Sequence, residues 1–226
     1  MRELGARQLA LDLAHAESFR RDDFFSDPSN QTALALIEAW PDWPDRIVAI
    51  VGPAGSGKSH LAAIWAERSG ARILDAASLD AGEVPRALVT GALVLEDLAP
   101  SQIDEPALFH LLNLAREDQA HVLITARRRL DLEGYAVADV ASRLRAVPAV
   151  ALEAPGDALL AAVLLKLFAD RQLILDEDTV HYLLPRMGRS LASVRTLAAE
   201  LDRAALSRGR RITRALAAEL LREPES

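Results

Sequence analysis

The chain of 226 residues has a mass of 24.5 kDa, a formal net charge of −7 and a sequence pI near 5.3. Half of its residues are hydrophobic but only 4% are aromatic, and a core built mainly from Ala, Leu and Val favours helices over a β-sandwich. The absence of cysteine excludes disulfides, thiolate metal sites and cysteine nucleophiles, and is consistent with a reducing compartment. The acidic balance argues against a module that coats duplex DNA by itself, since that task needs many unpaired Lys and Arg residues.

Neither a membrane-spanning segment nor a secretory signal is found in the sequence. The longest apolar stretch, residues 158–165, ends at Lys166 and is well short of the roughly 20 residues that cross a bilayer. Residues 1–8 lack the apolar region of a secretory signal. We therefore expect a cytoplasmic protein that does not contact a membrane.

Five short apolar runs are spread between residues 46 and 152. The run at 147–152 is weak, and the other four have the continuous apolar or β-branched character of buried strands: 46–51, 71–74, 92–95 and 121–125. Apolar residues recur at helical spacing in three segments, at 32–40, 61–67 and 105–117. This alternation predicts a parallel sheet that is covered by helices on both faces.

The character of the chain changes after Pro155. No strand pattern returns, and four helical patterns follow, at residues 157–171, 176–187, 190–207 and 213–222. The first residues of the chain are polar with scattered apolar positions, which predicts an extended arm. We therefore predict an α/β fold in three parts: an arm at 1–21, a base with five parallel strands at 22–153, and a small all-α domain at 154–226.

A phosphate-binding motif of the form G-x-x-x-x-G-K-[ST] begins at Gly52. It lies between a β-branched strand and a helical segment, which is the context that the motif requires. Its glycines let backbone N–H groups face a phosphate, Lys58 can reach the β- and γ-phosphates, and Ser59 can ligate Mg²⁺. We expect ADP or ATP with Mg²⁺ to bind at this segment, which comprises Gly52, Pro53, Ala54, Gly55, Ser56, Gly57, Lys58, Ser59 and His60.

Two carboxylates follow the apolar run at 92–95. A phosphate-binding loop needs acidic residues on a second strand for the metal and the attacking water, and Glu96 and Asp97 supply them. In the usual form of this acidic motif, called Walker B, Asp comes first. Here the longer Glu96 takes the position that binds the metal, and Asp97 takes the position that orients the water. We expect Ser59, Glu96 and Asp97 to hold Mg²⁺, and we expect hydrolysis by this chain to be slow.

Four segments occur in the order and spacing of a known family: 57–61, 96–97, 124–125 and 141–144. In this combination the chain resembles AAA+ ATPases of the DnaA clade over about residues 19–222. Within that clade it is most similar to the Hda family of DnaA-related regulators. By this resemblance the all-α domain at 154–226 is the helical lid of the family. The chain ends after this lid, without the helix-turn-helix domain that DnaA carries, and residues 8–13 are similar to the peptide by which Hda binds the sliding clamp.

The resemblance implies roles for three further residues. Thr125 matches sensor 1, which would monitor the γ-phosphate, and Arg195 matches sensor 2 of the lid, which would reach the chain's own nucleotide. Arg143 falls where the family has its arginine finger, which stabilises transition-state charge on a nucleotide held by a neighbouring protomer. The candidate catalytic side chains are therefore Arg143, Asp97 and Glu96. Residues 127–129 are all Arg where the DnaA pattern has a polar or acidic residue, and a solvated loop is favoured there over a phosphate or DNA patch.

Alternating leucines mark the arm. Leu9, Leu11 and Leu13 would all face one way in an extended peptide and could fill a hydrophobic groove, with Gln8 at the polar end. By resemblance, the groove would be that of the sliding clamp of DNA polymerase III. The alternative is an arm strand that packs on its own domain.

The resemblance implies a negative regulator of chromosomal replication initiation that binds the clamp and stimulates hydrolysis of DnaA-bound ATP in trans through Arg143. DnaA and the β sliding clamp are then its partners, DNA is contacted only through the clamp, and self-association is left open. Two alternatives are a helicase-loader-like or remodelling ATPase that hydrolyses its own ATP through Asp97, and a non-catalytic adaptor in which bound nucleotide sets the lid angle. A loader has no evident need for residues 8–13, and an adaptor would not need Arg143.

Overall fold

The computed structural model of the chain describes residues 19–132 and 134–221. Gln8, Leu9, Leu11 and Leu13, with most of the predicted arm, lie outside the described residues. Within the described part of the chain, no helix combines the length and the apolar character that crossing a membrane requires.

Five parallel strands form one sheet in the order β2-β3-β4-β1-β5, which confirms the predicted five-stranded parallel sheet. The strand β1 lies between β4 and β5 and is buried at every position, as its unbroken apolar run predicts. Because all the strands run in the same direction, their carboxyl ends meet at one edge, where ligands bind in open α/β sheets. The strands are β1 (Ile47–Val51), β2 (Arg72–Asp75), β3 (Ala92–Leu98), β4 (His121–Ala126) and β5 (Ala149–Ala151).

Helices cover both faces of this sheet. Successive strand residues point to opposite faces, so Ile50 packs in the core beneath α1 and α2, whereas Val51 packs in the core beneath α3, α4 and α5. The helices of the base are α1 (Gln31–Glu38), α2 (Lys58–Ser69), α3 (Val84–Ala87), α4 (Glu105–Glu117) and α5 (Ala138–Arg145). The base is thus a three-layer sandwich with two separate apolar cores.

Local signals account for most of these helix bounds. The predicted bounds of α4 are confirmed, since Asp104 caps its start by accepting a hydrogen bond from the Ala107 N–H at 3.0 Å. The helix predicted at 61–67 begins three residues earlier, because the glycine-rich loop leads directly into its first turn. The short helices α3 and α5 have no counterpart among the predicted elements.

The second domain is all-α and has its own core. Its helices are α6 (Asp157–Asp170), α7 (Glu177–Leu183), α8 (Leu191–Arg208) and α9 (Arg214–Leu220). The predicted helix at 176–187 is too long, since α7 ends at Leu183 and a single 3₁₀ turn carries Pro185, which has no N–H to donate. The domain's core is centred on buried residues of α6, α7 and α8, including Leu160, Leu164, Phe168, Leu183, Val194 and Leu201.

Candidate nucleotide-binding site

The phosphate-binding loop connects the end of β1 to the start of α2. Gly55 and Gly57 have φ angles of +70° and +105°, which L side chains rarely adopt. At Gly52 a Cβ atom would lie 2.6 Å from the Leu152 carbonyl oxygen. Glycine is therefore required at these three positions, and the loop forms an open backbone cradle at the N-terminus of α2.

Lys58 lies inside this cradle. Lys58 is only 6% exposed, and its ammonium donates hydrogen bonds to the carbonyl oxygens of Gly52 and Pro53, each at 2.9 Å. Burial lowers the pKa of Lys58 from its usual value, and the nearby carboxylate of Asp97 acts in the opposite direction. In the described part of the chain, the buried hydroxyl of Ser56 has no hydrogen-bond partner. A buried cation and an unpartnered buried hydroxyl beside a glycine cradle fit a phosphate group.

Ser59 and His60 follow Lys58 but face different surroundings. Ser59 is exposed in the first turn of α2, where its hydroxyl is accessible to a metal. His60 is buried, and its ring stands edge-on to Phe19 and Phe24, with centroid separations of 5.3 and 5.2 Å. His60 therefore contacts the segment that enters the base, and its predicted contact with nucleotide stays a prediction.

Glu96 and Asp97 diverge at the end of β3. The pairing of β3 with β4 shifts register between Leu95 and Leu98, and Asp97 has a left-handed backbone with φ of +53°. In the described part of the chain, Glu96 Oε1 is buried without a hydrogen-bond partner. The side chain of Asp97 is 55% exposed. Both carboxylates act to raise the pKa of Lys58, and the effect of Asp97 is the larger, so both negative charges lie near the ammonium in the phosphate loop.

Thr125 has a role that the sequence did not indicate. It is 1% exposed in β4, and its Oγ1 accepts a hydrogen bond from the Asp97 N–H at 3.0 Å. This contact holds Asp97 in its left-handed conformation across the gap that the register shift opens. The hydroxyl that is predicted to monitor the γ-phosphate is thus the same one that accepts the hydrogen bond from the Asp97 N–H.

The all-α domain docks directly on the phosphate loop. The Leu191 N–H, at the start of α8, donates to the Gly55 carbonyl oxygen at 2.9 Å. A second link joins Lys166 of α6 to Asp23 of the base, with Nζ and Oδ1 2.9 Å apart. Arg195 lies one turn into α8, with its guanidinium carbon 5.7 Å from the ring centroid of Phe19. Arg195 is thus carried by the helix that starts on the loop.

Arg143 is placed elsewhere. It lies on α5, on the opposite face of the sheet from α2, and its guanidinium carbon is 4.7 Å from the ring centroid of Phe109 on α4. Glu105 fixes the approach to α5 by accepting hydrogen bonds from the N–H groups of Ala136 and Val137, at 2.8 and 2.6 Å. No acidic side chain within 19–132 and 134–221 forms an ion pair with Arg143.

This arrangement is the AAA+ fold, and solved structures agree. Domain III of DnaA from Thermotoga maritima aligns with a TM-score of 0.74 at 17% identity, over 91% of this chain and 96% of that chain. AMPPCP-bound DnaA from Aquifex aeolicus aligns with a TM-score of 0.66 at 16% identity, over 83% and 66%. The RuvB Holliday junction branch migration motor of Thermotoga maritima aligns with a TM-score of 0.72 at 16% identity, over 90% and 71%.

The second domain gives the more specific match. Residues 157–221 match the family model described as Hda, lid domain. No curated protein sequence matches the chain significantly. The chain therefore has the AAA+ fold that DnaA and RuvB share, and residues 157–221 match a lid domain of the Hda type.

Proposed function

We propose that this protein is a cytoplasmic negative regulator of chromosomal replication initiation. It holds ADP or ATP with Mg²⁺ in its own phosphate loop and presents Arg143 to the ATP on DnaA, which promotes hydrolysis of that ATP. Residues 8–13 tether it to the β sliding clamp of DNA polymerase III, so DNA is reached only through the clamp. The observation that carries the proposal is Arg143, a basic side chain without an acidic partner among the described residues, in a chain with an Hda-type lid.

The setting of Arg143 supports action on another molecule. The Phe109 ring orients the guanidinium without neutralising its charge, which leaves the N–H groups available to phosphate oxygens. Its position on the sheet face opposite α2 favours a nucleotide on a neighbouring protein over the chain's own. An arginine supplied in trans can accelerate nucleotide hydrolysis by about 10³-fold or more.

The chain's own site supports binding more than turnover. Lys58 and the loop amides would hold the phosphates, and Ser59, with Glu96 and Asp97, would hold Mg²⁺. Bound Mg²⁺ supplies charge that neutralises the phosphates. Because Glu96 is longer than the usual Asp, the metal and the attacking water are held less well, and turnover at this site is slow.

A second candidate function is a loader or remodelling ATPase that hydrolyses its own ATP. The observation that favours it is the convergence of Lys58, Glu96 and Asp97 at one edge of the sheet. Such a protein would depend on Asp97 and not on Arg143.

An omission experiment tests the main proposal. DnaA is loaded with labelled ATP, and conversion to ADP is followed with this protein, the clamp and DNA, leaving out each in turn. We expect rapid conversion only in the complete mixture. Equal conversion without this protein would show that it does not act on DnaA.

Clamp binding is expected to depend on the leucine peptide. Replacing Gln8, Leu11 and Leu13 by Ala should abolish binding to the clamp, because the groove then loses its apolar contacts and its polar anchor. Nucleotide affinity and melting temperature should not change. Surface plasmon resonance on immobilised clamp measures the binding, and a triple Ala variant at Arg2, Glu3 and Arg7 serves as the control.

The competing interpretation of the arm makes the opposite prediction. If residues 8–13 pack on their own domain, the triple variant will melt at a lower temperature and the clamp interaction will persist. Either of these results would refute the tether.

A further inference from the structure

Glu105, in the first turn of α4, connects that helix to the start of α5. Its two carboxylate oxygens accept hydrogen bonds from consecutive backbone N–H groups, those of Ala136 and Val137, at 2.8 and 2.6 Å. Val137 is the N-cap residue of α5, and its own side chain makes no capping hydrogen bond. The start of α5 is therefore held by a carboxylate that another helix supplies from a distant part of the chain.

Packing alone holds α5 only weakly. Two of its eight residues are buried, Val140 and Leu144, and they lie one turn apart on a single stripe. A helix with so narrow a buried stripe can roll about its long axis at low cost, because few side chains must repack. Hydrogen bonds to a carboxylate are stronger than those between neutral groups, so the contact with Glu105 contributes much to the fixed orientation of α5.

The placement of Arg143 depends on that orientation. Arg143 lies in the last turn of α5, with its guanidinium carbon 4.7 Å from the ring centroid of Phe109. Phe109 and Glu105 are four residues apart on α4 and so lie on one face of that helix. The helix α4 thus contacts α5 in two places, at its first residue through Glu105 and near its last through Phe109.

A small roll of α5 would be enough to misplace the guanidinium. A side chain at the surface of a helix lies about 5–6 Å from the helix axis, so a roll of about 10° moves it by about 1 Å. A displacement of about 1 Å in a catalytic site can cost about 100-fold in rate. Because the contact of the arginine with phosphate develops in the transition state, its misplacement lowers the maximal rate and not the apparent affinity.

We propose that Glu105 is the positioning residue of the arginine finger: its hydrogen bonds to the start of α5 hold Arg143 in the orientation that reaches the phosphates of a nucleotide on a neighbouring molecule. This inference rests on the proposed function of Arg143. Glu105 acts through the backbone of α5 and contacts neither the nucleotide nor its metal.

The experiment compares Glu105→Ala with the matched control Asp176→Ala. Asp176 caps α7 in the other domain by accepting a hydrogen bond from the Thr179 N–H at 2.7 Å, so its replacement removes a contact of the same kind. Conversion of labelled ATP is followed over a range of DnaA concentrations with clamp and DNA present, and a thermal melt is recorded for each variant.

We expect Glu105→Ala to lower the maximal rate about 30-fold, with the half-maximal DnaA concentration within about threefold of the wild-type value. Asp176→Ala should lower the melting temperature by a similar amount and leave the maximal rate unchanged, because a lost cap affects stability without moving Arg143. Affinity for ADP should stay at the wild-type level in both variants, since α5 and α2 lie on opposite faces of the sheet.

Glu105→Gln is the conservative variant. Its side-chain amide retains one acceptor oxygen and can hold one of the two N–H groups, so the maximal rate should fall only about fivefold. If Glu105→Ala melts below the assay temperature, Glu105→Gln takes its place, and a wild-type rate in that variant would contradict the proposal.

Three results with the folded Ala variant would overturn the proposal. The first is a wild-type maximal rate. The second is a raised half-maximal DnaA concentration at an unchanged maximal rate, which would make Glu105 part of the surface that binds DnaA. The third is an equal loss of rate in Asp176→Ala, which would trace the effect to lowered stability. If the wild-type protein itself gives no stimulation, the proposed function fails, and this inference fails with it.

Discussion

Replacing Arg143 by Ala is expected to slow the stimulated hydrolysis of DnaA-bound ATP by about 10³-fold, because the transition state loses the cation that its developing charge requires. The fold should survive, since the contact with Phe109 that is lost contributes only about 0.5–1 kcal/mol at a partly exposed site. Clamp binding and nucleotide affinity should stay at wild-type levels. The measurement is the conversion of labelled ATP on DnaA with clamp and DNA present.

Arg145→Ala is the matched control for this variant, because both arginines lie in the last turn of α5 and Arg145 is exposed. It should stimulate DnaA as the wild type does. Asp97→Asn keeps the backbone contact to Thr125 and removes the charge, and it should cost little stimulation. The opposite result would contradict the proposal that the protein acts in trans. Rapid intrinsic ATP turnover that Asp97→Asn abolishes, together with unchanged activity of Arg143→Ala, would favour the loader.

Replacing Lys58 by Ala is expected to weaken nucleotide binding about 100-fold, which corresponds to the loss of a charged hydrogen bond of about 3 kcal/mol. The loop amides alone would leave the phosphate charge without its main cation. Little stability should be lost, because a cation that was costly to bury is removed together with its contacts to the two loop carbonyls. Equilibrium binding of ADP and a thermal melt measure the two effects.

The chain contains one other lysine, Lys166, which serves as the control. Its ammonium contacts Asp170 and Asp23, and these contacts, that with Asp170 above all, raise the pKa of Lys166. Lys166→Ala should keep nucleotide affinity within about threefold. If Lys58→Ala binds ADP as tightly as the wild type, the phosphate loop has no part in the mechanism.

Much of the fold could be predicted because its signals are local. The strands are continuous apolar runs, and the glycines of the phosphate loop precede a helix start in the chain itself. The helix α5 was missed because only two of its eight residues, Val140 and Leu144, are buried, so its apolar pattern is weak. Arg143 was found through a family resemblance, since periodicity and composition do not distinguish it from a surface arginine.

The unpredicted parts of the site depend on contacts between distant segments. The left-handed backbone of Asp97 and its hydrogen bond to Thr125 join residues 28 positions apart, and a register shift between two strands leaves no trace in either one alone. Arg127 belongs to a run of three arginines, and only the pairing of β4 with β3 brings its Nη2 to 4.0 Å from Asp97 Oδ2. A sequence pattern can show that charges exist, but the strand order determines which of them meet.

The two links between the lid and the base restrict how the lid can swing. One is the backbone hydrogen bond from Leu191 to Gly55, and the other is the ion pair between Lys166 and Asp23. The contact of Arg195 with the Phe19 ring adds a third connection on the same side of the lid. Because the first link ends on the carbonyl group of Gly55, we expect any rearrangement of the phosphate loop on nucleotide exchange to be transmitted to the start of α8.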